Sequence, residues 1–117
     1  MSANGYETAL RGITSVRGVR GAMVVAGADG LVVAESLMEG IKGAAVAALA
    51  ASLATRLGRA MEAGGVGSDV FWHLQAERGA LLVVPARSGM LIVAVAEPGV
   101  NAGLVRLELL KAAEGVA

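Results

Sequence analysis

The sequence predicts an α/β protein: a five-stranded, mainly antiparallel sheet with helices on both faces. Three observations carry that reading. Two segments, 79–86 and 88–96, are apolar at nearly every position, as strands covered on both sides are. Asp29-Gly30 divides two valine-rich runs, which is a strong hairpin signal. Three further segments space apolar residues like helices, and with apolar strands beneath them these must be shared between the two faces.

In chain order, Tyr6, Ala9, Leu10, Ile13 and Val16 recur at helical spacing, with Ser2 or Asn4 as the expected N-cap. Strands are expected at 19–26 and 31–36, joined by Gly27-Ala28-Asp29-Gly30. A long helix is expected over 41–63, ended by Gly64-Gly65-Val66-Gly67. Residues 70–77 alternate: Val70, Trp72, Leu74 and Ala76 point one way, and Phe71, His73, Gln75 and Glu77 the other. That pattern describes a half-buried strand at a sheet edge. Turns at Arg78-Gly79 and Arg87-Ser88-Gly89 bound the next strand, with Pro85 at its end, and the last strand runs to Ala96. Asn101 is placed to cap a final helix through Glu114, with Leu104, Val105, Leu107 and Leu109 on its buried side.

Composition narrows the class. The 117 residues suit one domain, 1–117, and show no repeat or linker. Ten basic residues balance ten acidic ones, so no net field draws the chain to nucleic acid or to anionic lipid. Cysteine is absent, which excludes disulfides and thiolate metal sites. The first residues, MSANGYETAL, lack the order of a secretory signal, and a cytoplasmic location is expected. The uncharged run 43–55 lies between Lys42 and Arg56 and is shorter than the roughly 20 apolar residues that span a bilayer, so no membrane insertion is expected.

On a helical wheel the long helix divides into three faces. Val46, Leu49, Leu53, Leu57 and Met61 form a stripe of large residues, expected to face the sheet. Ala44, Ala47, Ala51, Ala54 and Gly58 form a small-residue face, expected to be the seam of a symmetric dimer. An alternative is that alanine merely fills these positions as the best helix former. Ser52, Thr55, Arg56, Arg59 and Glu62 form the polar face. Phe71 and His73, on the polar side of the edge strand, are expected to join the same dimer interface.

Catalytic chemistry finds little support. His73 is the only histidine and has no base or ligand partner beside it in sequence. Asp29 and Asp69 have structural explanations as turn and strand-start residues. The glycine cluster at 64–67 follows a helix, whereas a phosphate loop precedes one. No catalytic residue, metal site or cofactor is expected.

The pieces Gly18-Val19-Arg20-Gly21-Ala22, Asp29-Gly30-Leu31, the 89–97 strand and Asn101-Ala102-Gly103-Leu104 with its helix follow a familiar order. In that order and spacing, across nearly the whole chain, the sequence resembles the roadblock/light-chain-7 family. The resemblance implies the roadblock, profilin-like fold, with the long helix on one face of the sheet and the two terminal helices on the other. It also implies dimerisation through the third strand and the long helix, here 70–77 and 41–63.

Members of that family attach to dynein, scaffold signalling complexes or act on small Ras-like GTPases, and this chain is most similar to the bacterial gliding-motility type. The expectation is a non-enzymatic homodimer that binds a small Ras-like GTPase, and could act as its activating protein, through Ser52, Thr55, Arg56 and Arg59. One alternative is a scaffold that leaves hydrolysis unchanged. Another is a small-molecule or haem sensor, which requires a pocket with convergent polar groups.

Overall fold

The computed structural model describes residues 3–116. The elements follow as α1 (Ala3–Thr14), β1 (Val19–Ala26), β2 (Val32–Leu37), α2 (Gly43–Ala63), β3 (Trp72–Ala76), β4 (Gly79–Pro85), β5 (Met90–Ala96) and α3 (Ala102–Gly115). The strands form one five-stranded sheet in the order β2-β1-β5-β4-β3. Every neighbouring pair is antiparallel, including the central β1–β5 pair, which joins the two halves of the chain. β3 is an edge strand, as its alternating sequence predicts.

Each face of the sheet has its own core. On one face α1 and α3 pack on residues such as Val24, Leu82, Ile92 and Ala94. On the other, α2 packs on Met23, Val25, Trp72, Val83, Leu91 and Val93. The central strands are therefore apolar at consecutive positions because each face is roofed. α1 lies over β1 and β2, and α3 over β4 and β5, while α2 approaches β1 and β2 most closely and its core reaches Leu91 and Val93 of β5, Val83 of β4 and Trp72 of β3. Edge strand β3 is the least covered.

Local chemistry sets the boundaries. Asn101 Oδ1 accepts from the Leu104 N–H at 3.1 Å, the N-cap expected of it. Lys42 stands at the N-cap of α2 without a side-chain cap bond, so α2 starts at Gly43 rather than at residue 41. The expected Ser2 cap lies outside the described residues, and Asn4 falls inside α1 rather than ahead of it. Between Val24 and Val25 the β1–β2 register shifts, and Val33 is the extra residue of a β-bulge. The turn at Gly27–Gly30 fits tightly. Gly30 has φ of +73°, and a Cβ there would lie 2.9 Å from the Ala48 Cα.

The structure corrects two expected faces. The small face of α2, not the large one, meets the sheet. Ala47 and Ala51 are 0% and 6% exposed within their own chain, and Leu49 is 70% exposed. Ala47 and Ala51 are therefore core residues rather than a seam between subunits. Val46, Leu53, Ala54 and Leu57 are half-buried on the flanks of the same core. The cause is complementary volume. The sheet presents Met23, Val25, Trp72, Val83 and Val93, so a helix close above them must present small groups. On α3, Val105 and Leu109 are buried as expected, but Leu104 and Leu107 are half exposed. Val105, Leu109 and Ala112 already fill the narrow stripe that one helix can place on β4 and β5.

Candidate functional site

The rotation of α2 decides what this face of the molecule offers to a partner. Residues lie about 100° apart on a helix, so burying Ala47, Ala50 and Ala51 turns Leu49, Ser52, Arg56 and Arg59 outward. Ser52, Thr55, Arg56 and Arg59 are all exposed, as the sequence predicts. Thr55 Oγ1 donates to the Ala51 carbonyl at 3.3 Å, which leaves its hydroxyl oxygen facing outward as an acceptor. Neither guanidinium is ion-paired among the described residues. Two unpaired cations on a rigid helix can bind carboxylates, and arginine can do so with two parallel hydrogen bonds.

One flank of this ridge borders an apolar surface. Ala48 and Ala51 face the β1–β2 turn, so the opposite flank of α2, with Val46, Leu53 and Leu57, faces the far end of the sheet. These three pack into the core that also holds Trp72, Val83 and Val93, and Leu49 extends their flank outward. On the same face of the sheet, Leu74 of β3 is 42% exposed, and its partner Leu81 on β4 is only half-buried. Leu49, Leu53, Leu74 and Leu81 thus lie towards an edge strand with no strand paired to its outer side. The indole Nε1 of Trp72 and the Nε2 of His73 are shielded from solvent and have no hydrogen-bond partner among the described residues.

The remaining predicted site residues are dispersed. Ala47 and Ala51 sit in the core, and Ala54 and Gly58 are half-buried. Phe71 lies just before β3, on the α3 side. It packs against that core with the Arg106 guanidinium 5.4 Å from its ring centre and the His73 ring 6.5 Å away. Phe71 is thus engaged within its own chain by a cation–π contact. Sequence reasoning missed Leu49 as an exposed residue. The signal was present in the large inward residues of β1 and β5, which admit alanine directly above them and move the large residues of α2 to its flank.

Other chemistry is sparse. No group of three or more His, Cys, Asp or Glu residues is arranged to hold a metal ion among the described residues. A cavity of about 660 Å³ opens on the α3 side, lined by residues including Asp69, Val70, Arg87, Leu110 and Glu114. A smaller notch of about 220 Å³ lies between the β1–β2 turn and α2. No helix among the described residues is long and apolar enough to cross a membrane.

An antiparallel sheet roofed by one long helix on one face and two terminal helices on the other, with an open third strand, defines a small α/β domain of the roadblock type. Residues 5–96 match the Roadblock/LC7 domain, and the chain belongs to that family. It is 33% identical over 104 residues to the uncharacterized protein MJ1340 of Methanocaldococcus jannaschii, covering 89% of this chain and 90% of the relative. Among solved structures, an MglB with tetrameric arrangement superposes with a TM-score of 0.87 at 26% identity, covering 100% of this chain and 90% of that one. The gliding protein MglB of Thermus thermophilus gives a TM-score of 0.86 at 23% identity, with the same coverage. A Roadblock/LC7 domain from Streptomyces avermitilis gives 0.84 at 22% identity, covering 93% and 92%. The family match stops at Ala96, whereas the superpositions on the two MglB structures extend through α3.

Proposed function

We propose that this chain is a cytoplasmic, non-enzymatic homodimeric regulator that binds a small Ras-like GTPase and acts as its activating protein. The observation that carries the reading is the adjacency of two surfaces on one face: the apolar strip at Leu49, Leu53 and Leu74 beside open strand β3, and the exposed cationic ridge of α2. Pairing β3 with its twofold mate would continue the sheet and bring two α2 helices side by side. Their meeting surfaces would be the Leu49–Leu53 flanks, while His73 would meet the paired strand on the opposite face of the sheet. The two ridges of Ser52, Thr55, Arg56 and Arg59 would then form a single platform.

The mechanism is positional. The platform holds acidic groups of the GTPase with Arg56 and Arg59 and orders the partner's own catalytic elements, which requires no reacting group from this chain. The similarity to MglB structures, one of them described as tetrameric, supports self-association as a property of this fold.

The test uses the purified chain and the Ras-like GTPase encoded nearest to its gene. Light scattering reports the oligomer, and single-turnover hydrolysis reports the activity. A dimer that binds the GTPase and speeds hydrolysis supports the reading. Binding without acceleration replaces the activating role with scaffolding, and a monomer that binds no GTPase removes the proposal. Arg56→Glu with Arg59→Glu is expected to weaken binding by at least about tenfold, as reversed charges at an interface do.

A further inference from the structure

The notch between the β1–β2 turn and α2 is built around one carboxylate. Its lining includes Ala28 and Asp29 from the turn and Ala48, Ser52 and Thr55 from the helix. Asp29 Oδ1 accepts from the Leu31 N–H at 3.2 Å, and Oδ2 has no partner among the described residues. Asp29 is exposed, and so are Ser52 and Thr55.

This turn is held from two sides. Gly30 abuts the backbone of Ala48, where a Cβ would have no room. On the other side the Gly27 N–H donates to the Gly89 carbonyl at 3.0 Å, which ties the turn to the β4–β5 turn. The Ala26 N–H donates to the Leu31 carbonyl at 2.9 Å and the Gly30 N–H to the Ala26 carbonyl at 2.8 Å, which closes the loop itself. Asp29 is therefore fixed relative to α2 before any partner arrives, so little ordering entropy is lost on binding.

The charges along this face are of opposite sign. Arg56 follows Ser52 by one helical turn and Arg59 follows Thr55 by one turn, so both guanidinium groups originate within about 10 Å of the notch along the helix axis. The chain has no net charge, so the orientation of a partner depends on how its charges are arranged on the surface. A surface that is acidic opposite the arginines meets repulsion if turned end for end, because its acidic groups then face Asp29.

We infer that the Asp29 notch is a cation clamp that receives a lysine or arginine side chain of the GTPase and fixes the orientation in which that partner docks on α2. The inference rests on the GTPase-binding reading. The incoming cation donates to the Asp29 carboxylate, and the Ser52 and Thr55 hydroxyl oxygens complete its hydrogen bonding.

Asp29→Asn separates charge from fold, because the asparagine Oδ1 can still accept from the Leu31 N–H. The full chain is titrated with the GTPase encoded nearest to its gene, loaded with a non-hydrolysable GTP analogue, at low and at high salt (about 50 and about 300 mM), which spans weak to strong screening. Asp29→Asn is expected to weaken binding about two- to fivefold at low salt, with the difference shrinking at high salt. Asp29→Lys is expected to weaken it by at least about tenfold, with an unchanged melting temperature. Wild-type affinity in Asp29→Asn and Asp29→Lys at both salt concentrations overturns the clamp alone. A loss in Asp29→Asn that does not depend on salt also overturns it, since the role would then be structural. If the unaltered chain binds no GTPase, the reading and the clamp fall together.

Discussion

Ala47→Leu tests the rotation of α2. Ala47 is fully buried, and the surface facing it is already filled by Met23, Val25 and Val93, each also fully buried. Leucine adds bulk where the helix cannot back away without losing the Ala50 and Ala51 contacts as well. Overpacking of this kind costs about 1–3 kcal/mol. Unfolding entropy is roughly 2.1 cal/mol/K per residue, so for 117 residues each kcal/mol moves the midpoint by about 4 °C. The expected fall is therefore about 4–12 °C. Thermal melts at several protein concentrations separate this from an effect on association, because unfolding coupled to dimer dissociation makes the midpoint depend on concentration. A variant that melts with the wild type but no longer self-associates would refute the placement of Ala47 in the core and restore it to a seam between subunits.

Three other outcomes follow from the same packing. Leu49→Arg and Leu74→Lys should each yield folded monomers by light scattering, since both side chains are well exposed within the chain and the proposed dimer would bury them. Gly30→Ala should lower stability by about 1–3 kcal/mol in urea titration, because it combines a positive φ with a Cβ against the Ala48 backbone. Asn101→Ala should cost about 1 kcal/mol in the same titration, through loss of the cap on the Leu104 N–H.

The fold is legible in the sequence because its signals are local. Asp29-Gly30 marks the first hairpin, the doubly apolar β4 and β5 announce helices on both faces, and Asn101 marks the start of α3. The phase of α2 is not legible from the helix alone. Its small face and its large face are both apolar, and a wheel ranks them by hydrophobicity, whereas the sheet selects by volume. The exposed ridge is predicted correctly all the same, because it is polar whichever apolar face turns inward. Leu104 and Leu107 show the same limit on α3, where leucines outnumber the positions that β4 and β5 can cover. The notch at Asp29 joins residues well separated in the chain, and only the closed hairpin brings them together.

The bulge at Val33 bears on how large an assembly this chain can build. A sheet with two open, regular edges can add copies at both ends and grow without limit. Here the extra residue interrupts the ladder of β2 and increases its twist, which makes that end a poor template for another strand. The regular open edge is then at the β3 end, and the proposed twofold pairing would use up that edge on each copy. Under the proposed pairing the result would be a closed particle rather than a fibre, its size limited at the end of the sheet farthest from the pairing strand.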